Sequence, residues 1–207
     1  ASIQSKSYLP DWRPGRDFRR TVSAQKSAGG GVLLELSHEI DIAMRLFGRA
    51  SCRWAKLGYQ HNAAIDVESR AELLLESDHC EDIRISLDFW NRSKKRLITV
   101  RGSEGTLEWD LIRNSVQVKV AGASERVRFS DSREDCFDRQ FEHLISCAHE
   151  QSRPQVSAED AQLRLGFRVE PGDVCRSWPA RRRDRAAGLQ GPADRRCPGR
   201  PGSARRR

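Results

Sequence analysis

Apolar residues recur every three to four positions across Val32–Phe47, at Leu33, Leu34, Leu36, Ile40, Ala43, Met44 and Phe47, and predict one largely buried helix ended by Gly48 at C′. Upstream, prolines, a glycine and aromatics predict an ordered loop over 6–17, and Phe18–Ser27 a short helix that stops at Gly29-Gly30-Gly31. From residue 52 the period falls to two. Arg53–Tyr59, Ser69–Glu76, Ile83–Phe89, Arg96–Arg101, Thr106–Asp110, Ser115–Val120 and Arg126–Phe129 predict a meander of about seven strands, with turns at Ser77-Asp78, Asn91-Arg92-Ser93, Gly102–Gly105 and Ala121–Ala123. Alternation is plain in Ile83-Arg84-Ile85-Ser86-Leu87-Asp88-Phe89, so the sheet should cover one face with helices and leave the other wet or paired with a partner. Helical spacing returns over Glu134–Glu150, with Phe137, Phe141, Leu144, Ile145 and Ala148 on one stripe behind an Asp131/Ser132 cap, and Ser157 with Asp160 marks a further helix start. The class this predicts is α+β: a large, mostly antiparallel open sheet of about six to seven strands with helices packed on one face.

Composition changes the picture at the end of the chain. The net charge of +8 suggests a nucleic-acid or membrane-surface protein, but residues 164–207 hold 13 Arg against 4 acidic residues, so 1–163 are nearly neutral. Residues 166–207 run through Arg, Gly and Pro without apolar periodicity, a composition that cannot offset chain entropy, and are expected to be disordered. The ordered domain is therefore placed at 1–165. A basic arm that binds polyanions and an out-of-frame extension of a GC-rich gene both fit this tail; the abrupt loss of pattern inside an already capped helix favours the second. Sequencing the gene through residue 207 tests it.

The chain opens at Ala1 without an initiator Met, which suggests a piece of a longer polypeptide. No stretch approaches the roughly 18 apolar residues of a membrane span. Cys52, Cys80, Cys136, Cys147, Cys175 and Cys197 include no C-x-x-C pair and no His at zinc-finger spacing, so reduced structural thiols and a cytoplasmic setting are expected.

Candidate chemistry concentrates in Gly29-Gly-Gly-Val-Leu-Leu-Glu-Leu-Ser-His-Glu-Ile-Asp41. On a continuous helix Glu35 and His38 share a face that Asp41 extends by one turn, because positions three and four apart are neighbours. Imidazole titrates near neutral pH and suits general acid–base work; without further information such a His is a hydrogen-bonded core residue more often than a catalyst. His61, His79, His143 and His149 read as solvated or packing residues, and Lys94-Lys95-Arg96 as a strand-edge device against unwanted pairing in preference to a phosphate site.

That block, together with Tyr8-Leu-Pro-Asp-Trp-Arg-Pro-Gly-Arg-Asp17 and Arg45-Leu-Phe-Gly48, resembles the C-terminal domain of the Gfo/Idh/MocA family of NAD(P)-dependent sugar and cyclitol oxidoreductases, over roughly residues 1–165. The resemblance implies a preceding Rossmann domain that carries the cofactor loop and a catalytic Lys, and a second domain that contacts substrate and oligomerises through its open sheet face. It implies a catalytic role for His38 with Glu35 as its acid partner, and substrate contacts from Trp12, Arg13, Arg16 and Asp41, Asp41 in a more structural capacity. Two departures stand out: the family commonly has Asp where this chain has Glu35, and one more residue between acid and His. No G-x-G-x-x-G follows a strand, so NAD or NADP is expected in the full-length parent and no cofactor on this fragment. The implied partners are a sugar or cyclitol and further copies of the chain; no membrane is implied, and nucleic acid is disfavoured. The rival reading is a non-enzymatic sugar-binding or dimerisation module.

Overall fold

A computed structural model describes residues 1–157 and the pair Val174–Cys175. The elements are β1 (Ser2–Tyr8), α1 (Val32–Glu35), α2 (Ser37–Phe47), β2 (Ala50–Tyr59), β3 (Glu68–Ser77), β4 (Cys80–Asp88), β5 (Trp90–Arg101), β6 (Gly105–Asp110), β7 (Ser115–Val120), β8 (Ala123–Arg128), α3 (Arg133–Glu150) and β9 (Val174–Cys175). They form an α+β fold around one open sheet of order β8-β7-β6-β5-β1-β4-β3-β2, extended by the two-residue β9 beside β2. All seven expected strands are present.

The sheet is mixed and larger than expected, because β1 enters between β4 and β5. It runs parallel to β4, with Ile3 opposite Ile85, and antiparallel to β5, with Ile3 opposite Ile98. Its sequence, Ser-Ile-Gln-Ser-Lys-Ser-Tyr, has one large aliphatic residue, so alternation is nearly silent; pairing on both sides supplies what the pattern lacks. The expected turn at Asn91–Ser93 lies instead inside β5, where the register with β1 jumps from Lys6 opposite Lys95 to Tyr8 opposite Trp90. Polar turn residues here make a bulge. Lys94–Arg96 belong to an inner strand that β1 covers on one side, but the pairing of β5 with β6 begins at Leu97, so Lys94 and Lys95 lie beyond β6 on the other.

The core lies between one sheet face and the α1–α2 segment. Ile3, Leu73, Leu75, Ile83, Ile85, Leu87 and Ile98 meet Val32, Leu36, Ile40, Ala43 and Phe47, all buried. The predicted continuous helix is broken at Leu36 (φ −109°, ψ 24°), and Leu34 is exposed. Phe18–Ser27 is not one helix but a succession of single 3₁₀ turns, interrupted by extended Thr21 and Gln25. α3 carries the expected cap, with Asp135 N donating to Ser132 Oγ (3.0 Å) and Ser132 N to Asp135 Oδ2 (2.7 Å). Its apolar stripe is not packed on the sheet: Phe137, Phe141, Leu144 and Ile145 are exposed among the described residues. The expected helix at Ser157–Asp160 and the expected disorder of 166–207 lie outside the described residues, Val174–Cys175 apart. Among the described residues no helix is long and apolar enough to cross a membrane.

Candidate active site

The glycine triplet is a packing device. A Cβ on Gly30 would fall on the backbone of Val22, Ser23 and Gln25, and Gly31 combines φ +118° with direct contact to the Glu68 carboxylate. Glu68 Oε1 accepts the Leu33 N–H at 3.1 Å, satisfying a free donor at the start of α1. Burial pushes the Glu68 carboxyl above the ordinary range although that hydrogen bond pulls the other way. A carboxylate thus sits where a pyrophosphate would have to sit, α1 is a single turn, and a 3₁₀ turn, not a strand, leads into the triplet. The described residues do not fit a dinucleotide at this loop.

The break at Leu36 decides which acid serves His38. Glu35 ends α1 and His38 opens α2, so the three-residue spacing no longer places them on one helix. His38 Nε2 instead lies 3.1 Å from Oε1 of its neighbour Glu39. That same oxygen accepts Arg96 Nε at 2.6 Å. Glu39 is fully buried, whereas the His38 side chain is 46% exposed. Burial raises the Glu39 carboxyl, but the His38 hydrogen bond and the Arg96 charge outweigh it and hold the group below the ordinary range. A carboxylate only accepts, so Nε2 carries the proton and Nδ1 of the neutral ring is left as the base.

Arg96 reaches Glu39 because of register: it lies opposite Ser5 and two residues before buried Ile98, on the helix-covered face. Glu39 is not singled out by the sequence, and Arg96 enters there only as part of a strand-edge device. A signal existed, since a cation in step with the apolar positions of a strand calls for a buried anion; adjacency to His38 hid Glu39, because neighbouring helix positions point apart.

The ring opens into a cleft of about 580 Å³ that Trp12, Arg13, Leu36, Lys94 and Arg96 also line. Trp12 is fixed by an edge-on contact to Phe89 (centroids 5.1 Å apart) and by donating Nε1–H to Ser7 Oγ at 3.0 Å, so it offers the cleft an apolar ring. Of the residues expected at the site, the structure gathers His38, Trp12 and Arg13. Arg16 lines a neighbouring groove of about 590 Å³ that shares Arg13. Half-buried Glu35 and Asp41 do not line the His38 cleft.

The family model for the Gfo/Idh/MocA oxidoreductase family, C-terminal alpha/beta domain, matches residues 8–165. No curated protein matches the chain in sequence. Among solved structures it is similar to KijD10, a 3-ketoreductase from Actinomadura kijaniata in complex with NADP and TDP-benzene (17% identity, 80% of this chain and 50% of that one, TM-score 0.64). It is also similar to the UDP-N-acetylglucosamine 3-dehydrogenase GnnA from Acidithiobacillus ferrooxidans (12%, 79% and 49%, 0.63), and to an oxidoreductase from Agrobacterium radiobacter in complex with NAD+, L-tartaric acid and magnesium (16%, 79% and 50%, 0.64). At these identities the likeness is one of fold. The chain spans about half the length of these proteins.

Proposed function

Because the chain belongs to the Gfo/Idh/MocA oxidoreductase family through that family's C-terminal alpha/beta domain, we propose that it is the substrate-binding and oligomerisation half of an NAD(P)-dependent sugar or polyol oxidoreductase, inactive by itself. The parent reaction is the oxidation of a secondary alcohol to a ketone with hydride transfer to the nicotinamide, or its reverse. The observation that carries this reading is the half-exposed imidazole at the mouth of a cleft, backed by a buried carboxylate and a guanidinium. Nδ1 takes the hydroxyl proton, and Glu39 holds the ring orientation and stabilises the imidazolium that results. Arg96 keeps Glu39 ionised. Trp12 and Arg13 bound the sugar on the opposite side, the indole by apolar contact and the guanidinium by its fork of donors. Solved relatives bound to NADP or NAD+ support a nicotinamide cofactor in the parent, held outside the residues described here.

Two measurements test the proposal. In the enzyme that joins this domain to its cofactor domain, His38→Ala should lower kcat by about 10²-fold or more, and an unchanged rate removes the acid–base role. Titration of NADH into the 207-residue chain, followed by fluorescence, should show no binding; micromolar binding would place a cofactor site here and overturn the division of labour.

A further inference from the structure

Arg96 is only partly used by the fold. Its Nε donates to Glu39 Oε1 at 2.6 Å, and this is the one side-chain hydrogen bond that the guanidinium makes among the described residues. Nη1 and Nη2 therefore have no partner there, yet neither is among the buried polar atoms left unsatisfied. Both are open to solvent, in a side chain that is 32% exposed. The register of β5 turns Arg96 to the helix-covered face, where Leu36 and His38 bound the cleft that it lines. Among the cations of that cleft, it alone is bonded to the oxygen that His38 Nε2 meets. Keeping Glu39 ionised needs a charge and nothing more. A guanidinium brings five N–H donors in a rigid plane, and only one of them is taken by Glu39.

We propose that Arg96 contacts the substrate directly and decides which hydroxyl is oxidised. Its Nη donors hold the oxygen on the carbon beside the one whose hydroxyl His38 deprotonates, so the substrate is a vicinal diol and the product an α-hydroxyketone. A sugar or cyclitol ring presents several secondary hydroxyls of similar acidity, and a base alone does not choose among them. A second point of attachment does. The imidazole and the guanidinium hang on one carboxylate oxygen, and adjacent ring oxygens are the two groups of such a substrate that lie nearest each other. In the transfer, Nδ1 takes the proton of the reacting hydroxyl; the neighbouring oxygen keeps its own proton and only accepts from Arg96. The proposal rests on the oxidoreductase reading for the proton transfer to His38 and on the unpaired guanidinium donors for the second oxygen.

The test begins with the 207-residue chain, titrated with cis-1,2-cyclohexanediol and with cyclohexanol and read at the Arg96 Nε–H and His38 ring resonances. The diol should give saturable shifts at both residues, and cyclohexanol none at Arg96. Arg96→Lys keeps a cation for Glu39 and loses the fork, so amide dispersion should stay native while diol binding weakens about tenfold or more, the range for one hydrogen bond from a charged donor. If that variant does not fold, the two ligands compared on the native chain decide. In the enzyme that joins this domain to its cofactor domain, Arg96→Lys should lower kcat/KM by a similar factor of about ten or more and turn a single ketone product into a mixture of positional isomers, which a mere counter-ion would not do. No saturable shift at Arg96, cyclohexanol matching the diol, or Arg96→Lys matching the native protein in binding or in product would each overturn the assignment. The oxidoreductase reading fails separately. A joined enzyme that loses turnover on His38→Ala yet still makes one ketone with Arg96→Lys keeps the reaction and loses this role for Arg96. A chain that binds the diol through Arg96, in an enzyme indifferent to His38→Ala, does the reverse.

Discussion

Replacing Arg96 by Met would leave the Glu39 carboxylate fully buried with His38 as its remaining partner. In the native chain Oε1 holds both the 2.6 Å bond from Arg96 and the 3.1 Å contact to His38, while Oε2 is buried with no hydrogen-bond partner among the described residues. Both partners therefore meet the carboxylate at one oxygen, and removing its cation should destabilise the fold by about 3–5 kcal/mol at pH 7, the range for stripping one partner from a buried pair. With a urea m-value of about 2 kcal/mol/M, the midpoint falls by about 2 M while the slope stays constant. Glu39→Gln removes the charge but keeps the shape, and leaves an Arg96 side chain that is already 32% exposed and can reach water; it should cost less, about 1–3 kcal/mol. The double variant should be milder than the sum, with a coupling of about 2 kcal/mol. The pH dependence has a definite sign. Glu39 titrates below its unfolded value in the native protein, so its contribution is present above that value and lost as pH falls through the folded one. In Arg96→Met the burial penalty is opposed by His38 alone, the carboxyl moves upward, and protonation relieves the penalty. The gap between variant and native protein should thus narrow from pH 7 to pH 4. A gap under about 1 kcal/mol at pH 7, or one independent of pH, would refute the buried-pair account.

Other substitutions probe how the site is positioned. Gly31→Ala should cost about 2–3 kcal/mol in urea unfolding, since φ +118° is strained for any L residue and the methyl group meets the Glu68 carboxylate. Glu68→Gln tests that carboxylate: burial raises its folded pKa, so the native protein carries an ionisation penalty above that value and loses it as pH falls. Stability of the variant relative to native should accordingly drop between pH 7 and pH 4. Ser132→Ala removes the capping box of α3 and should lower stability by about 1 kcal/mol, with helicity read by circular dichroism.

How much of this was legible follows from what each residue can signal alone. The strands from residue 50 onward announce themselves because β-branched and apolar residues alternate with polar ones and Gly or Asn marks their ends. Strand β1 does not, because Ser5 occupies an inward position that an aliphatic residue would have flagged; its place is set by neighbours drawn from 80–101. The stripe on α3 is legible as a stripe, but periodicity says which residues share a face and nothing about what covers it, and Phe137, Phe141, Leu144 and Ile145 are exposed.

The site divides along the same line. His38, Trp12 and Arg13 were within reach because a resemblance pointed at them, and the cleft joins all three. Glu35 was the acid that helical spacing favours, and it lost its place to Glu39 when the backbone broke at Leu36, a feature that no run of helix-compatible residues betrays. Arg96 and its lysine neighbours were set aside as edge protection by a rule that needs the strand order to apply. The strand order divides them: Arg96 lies on the helix-covered face and pairs with buried Glu39, whereas Lys94 and Lys95 lie beyond the stretch of β5 that β6 covers, where edge protection still applies.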